Sequence, residues 1–102
     1  MLDKIKKVAM QVQEELTDSE NYIRCACRYK EHCPTLAELY LTLSGEELSH
    51  AERLHAEGTR MLNSARSEEA DYKTAETIWQ WEKGKVEQRI KEIRVQHEMF
   101  RK

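Results

Sequence analysis

The segment EELSHAERL, residues 46–54, decides the fold, because it sets an acid and a histidine in phase with an apolar stripe. Glu47 and His50 are three residues apart, so on a helix both side chains leave the same face. The stripe they continue consists of Leu36, Tyr40, Leu43, Leu54 and Met61. We therefore expect a long amphipathic helix with polar residues at two positions where hydrophobic ones would be usual.

An acid also interrupts the apolar stripe of the preceding segment. Glu15 is in phase with Ile5, Val8, Val12, Tyr22 and Ala26. Burying an unpaired carboxylate is expensive, so acids placed on core stripes need a compensating cation. Two carboxylates and an imidazole suit iron, manganese or zinc better than calcium or magnesium. Glu15, Glu47 and His50 are therefore candidate metal ligands. The alternative is that Glu47 and His50 face solvent, or that His50 is a hydrogen-bonded core histidine.

The composition favours one all-α domain over residues 1–102. The chain has only three glycines and one proline, and 35% of its residues are charged, which is typical of long helices. The pattern breaks around Pro34 and again at residues 63–67, where Ser67 is a candidate helix cap. These breaks predict helices at about 2–30, 34–63 and 68–100. The third stripe consists of Tyr72, Ala75, Trp79, Val86, Ile90, Ile93, His97 and Phe100.

The spacing of the stripes also predicts how the helices associate. Each stripe advances by alternating steps of three and four residues, as in an antiparallel bundle. An antiparallel helical hairpin followed by a third long helix is the expected architecture. Three long rods in so short a chain leave much apolar flank uncovered, which favours a homodimer or a higher homo-oligomer.

Several classes of partner and location are disfavoured by charge and hydropathy. The net charge is −2 with the signs interspersed, which argues against nucleic acid or an anionic membrane as the main partner. No run of about 18 apolar residues is present, so we expect no membrane span. The first residues lack an apolar signal core, and three cysteines do not make a disulfide framework. A cytoplasmic, reduced protein is the simplest expectation.

Two segments resemble a known family. Residues 15–22, ELTDSENY, pair a Glu with an aromatic residue, Tyr22, seven positions later, and residues 46–54 carry E-x-x-H-A-x-x-L. Over about residues 8–62 the chain resembles ferritin-like proteins of the rubrerythrin kind. The resemblance implies that Glu15 is a terminal metal ligand, Glu47 a bridging carboxylate and His50 a terminal nitrogen ligand. Tyr22 would then lie beside the ligands.

The chain also departs from that family. A second E-x-x-H is missing, since His97 is preceded at that spacing by Arg94, and there is no fourth helix. Two copies would supply four carboxylates and two imidazoles, the di-iron complement of such bundles. The resemblance to shortened, encapsulated-ferritin-like proteins thus implies a ferritin-like four-helix bundle completed by dimerisation, with a di-iron site on the two-fold axis.

The implied activity is that of a ferroxidase-type oxidoreductase. Such a protein binds and oxidises ferrous iron with dioxygen or peroxide, with two irons per dimer and manganese or zinc as alternative metals. The rival interpretation is a non-catalytic helical oligomer or adaptor that binds a protein partner through its apolar helix faces. The sequence does not separate ferroxidase, storage and peroxidase roles.

Other polar and aromatic residues have weaker claims. Glu82 lies in phase on the third helix and would either complete the site or, as we favour, form an edge residue near lysines. We expect His55 to face solvent and His97 to be structural or at the surface. A zinc site is disfavoured by spacing, and nucleic-acid stacking by surrounding acids. The residues considered for zinc are Cys25, Cys27, His32 and Cys33. For Trp79 and Trp81 we expect core packing and interface anchoring instead of stacking on nucleic-acid bases.

Overall fold

The computed structural model describes residues 1–102, which form three long α-helices and no strand. These are α1 Leu2–Tyr29, α2 Pro34–Ser64 and α3 Tyr72–Arg101. The predicted all-α class is confirmed, and the predicted limits of α1 and α2 are correct to within one residue. Pro34 occupies the first turn of α2, where its missing N–H is not needed. The four-residue connection from Lys30 to Cys33 folds α1 and α2 into an antiparallel hairpin.

The start of α3 differs from the prediction. Ser67 does not cap a helix, because residues 66–71 form turns in which the Glu69 and Tyr72 N–H groups donate to the carbonyls of Arg66 and Glu69. Asp71 then adopts a left-handed conformation with φ of 68°, which a short polar side chain tolerates. These turns satisfy the backbone locally, so α3 begins at Tyr72, four residues later than expected.

The seam between α1 and α2 is built largely from small residues. In α1 the buried positions are Ile5, Ala9, Val12, Leu16, Ser19, Ile23 and Ala26. In α2 they are Ala37, Leu41, Ser44, Leu48, Ala51, Gly58 and Leu62. Both sets advance by three and four residues, as predicted. Alanine, serine and glycine at these positions allow the two helix backbones to approach closely.

The predicted stripe of α2 is one position away from the buried seam. Tyr40, Leu43, Leu54 and Met61 are half-buried, and Leu36 is exposed. The stripe was assigned from the large hydrophobic residues, whereas the seam uses the small residues beside them. Glu47 and His50 consequently lie at the edge of the core, and His50 is exposed.

The third helix packs along the hairpin through the stripe predicted for it. Ala75, Trp79, Val86, Ile93 and Phe100 are buried, and Tyr72, Ile90 and His97 are half-buried. The Trp79 ring lies over Gly58, where a Cβ atom would come within 2.2 Å of the ring. The Trp79 Nε1–H also donates to Thr59 Oγ1 at 3.1 Å. Gly58 is therefore required to seat this tryptophan.

The contacts of α3 fall on one side of the hairpin only. Arg89 donates to the Gln13 Oε1 of α1 at 2.6 Å, and Arg94 donates to the Glu52 Oε2 of α2 at 2.8 Å. We call this side the covered flank; it comprises Gln13, Thr17, Glu20, Glu52 and Thr59. At 3.6 residues per turn the opposite side, the open flank, comprises Val8, Glu15, Tyr22, Tyr40, Glu47, His50 and Leu54.

The molecule is a thin rod, with principal extents of 57 × 17 × 15 Å. None of its helices contains a stretch apolar enough to cross a membrane. Because α3 packs on the covered flank only, no helix lies over the open flank along the rod.

Candidate metal centre

The three candidate ligands from two separate helices converge on the open flank. One ligand atom from each of Glu15, Glu47 and His50 lies within 4.8 Å of the others. The Nδ1 atom of His50 is 3.7 Å from Glu15 Oε2 and 3.8 Å from Glu47 Oε1. No other three histidine, cysteine, aspartate or glutamate residues in the chain come together in this way. The juxtaposition predicted from sequence is thus present.

The heptad arrangement of the hairpin explains why the two acids meet. Tyr22 lies one heptad after Glu15 in α1, and Tyr40 one heptad before Glu47 in the antiparallel α2. The Tyr22 and Tyr40 rings stack with centroids 6.0 Å apart. The acids and the tyrosines are therefore consecutive pairs of facing residues, one heptad apart, along the open flank. Tyr22 is one heptad away from Glu15 and does not belong to the group of candidate ligands.

The two carboxyl groups of the cluster interact directly. The pKa of Glu47 is raised from 4.5 to about 7, chiefly by the side-chain hydrogen bond with Glu15, then by burial and by the negative charge of Glu15, whereas His50 lowers it. Protonated Glu47 can donate to Glu15, whereas two ionised carboxylates are acceptors only. Glu15 Oε2 is buried and has no hydrogen-bond partner in the structure.

Neither carboxylate has a lysine or arginine to neutralise it. The ion pairs of Glu15 and Glu47 involve His50 alone. The side chains of Glu47 and Glu15 are 22% and 28% exposed, and that of His50 is 44% exposed. Oxygen and imidazole donors at this spacing fit iron, manganese or zinc. One chain supplies only three ligand residues, so any metal here has coordination positions left for water or for a second copy.

The cluster opens onto the surface. Glu15 and His50, together with Arg53, Leu54 and Glu57, line a shallow depression of about 370 Å³. A small ion in this depression would lie against Glu15 and His50. The same exposure leaves the open flank available to another helical hairpin.

Glu82 does not join the cluster. It accepts a hydrogen bond from Gln13 Nε2 at 3.2 Å and pairs with Lys85 at 3.7 Å. The contact with Gln13 lies on the covered side of α1, and the pair with Lys85 lies within α3. This placement agrees with the interpretation of Glu82 as an edge residue.

The remaining histidines have structural surroundings. His55 does not face solvent as expected: its ring stacks on Trp79 at 4.9 Å, its Nε2 atom is buried without a partner, and burial lowers its pKa. His97 is structural, with Nε2 2.8 Å from Ser44 Oγ, and burial lowers its pKa as well. Both rings belong to the packing of α3 against the hairpin.

The cysteines and the second tryptophan lie apart from the metal cluster. All three cysteines are free, with Cys25 half-buried and Cys27 and Cys33 exposed, and they join no group of metal-binding residues. Trp79 is buried as expected, but Trp81 is exposed, and Lys85 Nζ lies 4.0 Å from the centre of its ring. Core packing is therefore wrong for Trp81.

Sequence reasoning missed one buried polar feature. Ser19 and Ser44 are fully buried in the seam and hydrogen-bonded to each other's helix. The signal was available, since each serine interrupts a heptad of alanine, leucine and isoleucine.

Comparison with known proteins gives no match: no family model fits the chain, and no curated protein or solved structure is similar to it. The function therefore has to be argued from the residues and their geometry.

Proposed function

We propose that this chain is one subunit of a ferritin-like, non-haem di-iron protein that binds and oxidises ferrous iron at a site shared between two copies. The observation that supports this function is the meeting of Glu15, Glu47 and His50 within 4.8 Å on an open flank. Two partly buried acids without a basic partner are costly unless a cation joins them. The exposed depression beside them gives such an ion access.

A two-fold arrangement completes the ligand set. Each copy brings two carboxylates and one imidazole. Two copies that face each other through their open flanks would therefore bring four carboxylates and two imidazoles. The α1–α2 hairpins of the pair then form the four-helix bundle, and α3 lies on the outside of each. In this assembly Glu47 would bridge the metals, while Glu15 and His50 would each complete one coordination shell.

The residues of the chain have distinct tasks in this chemistry. Two ferrous ions held at the shared site would supply one electron each to dioxygen or peroxide. Glu47 would give up its proton to bind a cation, because a nearby positive charge favours the ionised carboxylate. The buried, unpartnered Glu15 Oε2 offers an acceptor lone pair, and His50 presents Nδ1 toward both acids. A bound cation would then neutralise the carboxylates in place of a lysine or arginine.

Metal stoichiometry and oligomeric state test the proposal together. We expect anaerobic titration with ferrous iron to saturate at about one iron per chain, and light scattering to show no monomer in the loaded state. His50→Ala should lose the iron, whereas His32→Ala, an exposed histidine outside the cluster, should keep it. Wild-type protein that binds no iron, or a monomer that carries two, contradicts the shared site.

The second candidate is a non-catalytic helical oligomer or adaptor, favoured by hydrophobic residues exposed on the far side of α3. Trp81, Val95 and Met99 are 67%, 54% and 65% exposed. Exposed apolar groups of this size commonly mark contact surfaces. Absence of iron binding, together with loss of self-association in Trp81→Ala, would favour this function over iron oxidation.

A further inference from the structure

A buried polar cluster links all three helices a few residues from the metal ligands. The Ser19 hydroxyl donates to the Ser44 carbonyl at 2.8 Å, and the Ser44 hydroxyl donates to the Ser19 carbonyl at 2.7 Å. His97 Nε2 of α3 lies 2.8 Å from Ser44 Oγ. Both serines are 0% exposed. These two are the only hydrogen bonds from a side chain of one of these helices, α1 or α2, to the backbone of the other.

The two serine hydroxyls share the hydrogen bonds of this cluster. Each has one hydrogen and lies within hydrogen-bond distance of the opposite carbonyl, and the two hydroxyl oxygens are 3.0 Å apart. Where both hydrogens are directed to the carbonyls, Ser44 Oγ accepts from the Nε2–H of His97. Ser44 is fully buried, so its hydroxyl is not accessible to a substrate.

One register of α1 against α2 determines both the pairing of the serines in the seam and the pairing of the acids on the open flank. With Ser19 facing Ser44, Glu15 faces Glu47 on the adjacent row. A shift of α2 by one heptad would set Glu15 opposite Tyr40 or Leu54 and would bury the Ser19 hydroxyl against Ala37 or Ala51. The other seam residues are apolar and would remain so. Within the buried seam the serines would lose their partners, at about 1–3 kcal/mol for each unsatisfied group.

We infer that Ser19, Ser44 and His97 form a register clasp that positions Glu15 against Glu47, and that they act as positioning residues for metal binding. Buried polar residues fix register in helical seams in this way at some cost in stability. The short connection from Lys30 to Cys33 opposes large slips, and the clasp fixes the smaller displacements that decide ligand geometry. This inference rests on the proposed function.

Cobalt(II) is a suitable probe, because both its affinity and its visible absorption report the ligand geometry. We expect the double variant S19A/S44A to keep its helix content, because both partners are replaced by apolar groups and half-buried His97 can turn to water. Its dissociation constant for cobalt should rise about tenfold or more, the range found when groups that orient ligands are removed. Its bound-cobalt spectrum should also change. S19A alone keeps the Ser44–His97 bond and should show a smaller change of the same kind.

The control is S49A, an exposed serine on the same helix, which should match wild type. If the double variant fails to fold, S19A provides the measurement. Wild-type protein that binds no cobalt overturns the proposed function. Wild-type binding together with an unchanged affinity and spectrum in both folded variants overturns the register clasp alone.

Discussion

The acids on the two flanks of the α1–α2 hairpin differ in whether a basic side chain of α3 pairs with them. On the covered flank Glu20 pairs with Arg89 at 3.2 Å and Glu52 with Arg94 at 2.8 Å. On the open flank Glu15 and Glu47 have only His50 beside them. The first arrangement is complete within one chain, since each carboxylate has a basic partner from α3. The second leaves two acids at the edge of the core without a basic partner from α3.

The two flanks also differ in how deeply their hydrophobic residues are buried. The covered flank holds the large rings of Trp79 and Phe100, both buried. The open flank presents half-buried residues such as Tyr22, Tyr40 and Leu54. The covered flank therefore contributes buried packing to the hairpin, whereas the open flank carries the residues that we propose for assembly and metal binding. The predictions below test this division.

The largest expected effect comes from removing matched acids on the two sides. Glu47→Gln should reduce bound iron from about one per chain to near zero, because the amide cannot supply the charge that a bridging ligand needs. Glu82→Gln removes an equally half-buried acid on the covered side and should leave iron binding intact. Anaerobic titration of both variants checks this. Equal losses would mean that the two sides are not functionally distinct.

The next effect is on the rate of oxidation. Glu15→Ala should slow ferrous oxidation by about tenfold or more, since one ligand position per metal is lost, while the dimer persists. Truncation there relieves burial of charge, so packing should be maintained. Stopped-flow absorbance of the ferric product, with light scattering on the same samples, measures both properties. An unchanged rate would direct attention to Asp18, whose negative charge also raises the pKa of Glu47.

A stability effect should be confined to the covered flank. Gly58→Ala places a methyl group within 2.2 Å of Trp79, and overpacking of this kind costs about 1–3 kcal/mol. Gly45, with nothing within 4 Å, is the control; Gly45→Ala should stabilise the helix by about 0.5–1 kcal/mol. Urea unfolding gives both values. Loss of iron affinity in folded Gly58→Ala protein would show that the flanks are coupled.

The smallest effect is a pH dependence of the metal-free protein. The pKa of Glu47 is about 7 in the folded state and 4.5 when unperturbed, so the native state binds the extra proton between these values. Stability should therefore fall as the pH rises from 4.5 to 7. Urea midpoints at pH 5 and pH 8 should show this fall in wild type relative to Glu47→Gln. His55 and His97, whose pKa values are lowered, act in the opposite direction below pH 6.5, and the variant comparison cancels their contribution.

The sequence predicted most of the fold because periodicity and breaks are local properties. Pro34 marked the start of α2 correctly, and the heptad spacing gave the pairing of the helices. The start of α3 was wrong because the left-handed Asp71 and its turns give no strong signal before the chain folds. The seam of α2 was displaced because small residues such as Ala51 and Gly58 are less conspicuous than the leucines beside them.

The candidate site could be predicted from the helical spacing of its residues, but the burial of those residues could not. Acids at regular helical positions are visible in the sequence, so the meeting of Glu15, Glu47 and His50 could be anticipated. Their degree of burial could not, because it depends on which side of the hairpin α3 covers. The pairing of Ser19 with Ser44 also required the register of two helices, which no single segment determines.

The slender shape of the rod has a consequence for how the protein responds to its own abundance. Only 19 of 102 residues are buried, so a single copy removes little apolar surface from water compared with a thicker domain. Association through the open flank would add the missing burial and would favour the folded state by mass action. Dilution would then loosen the structure as well as the assembly, and a cell would regulate the folded fraction by how much of the chain it makes.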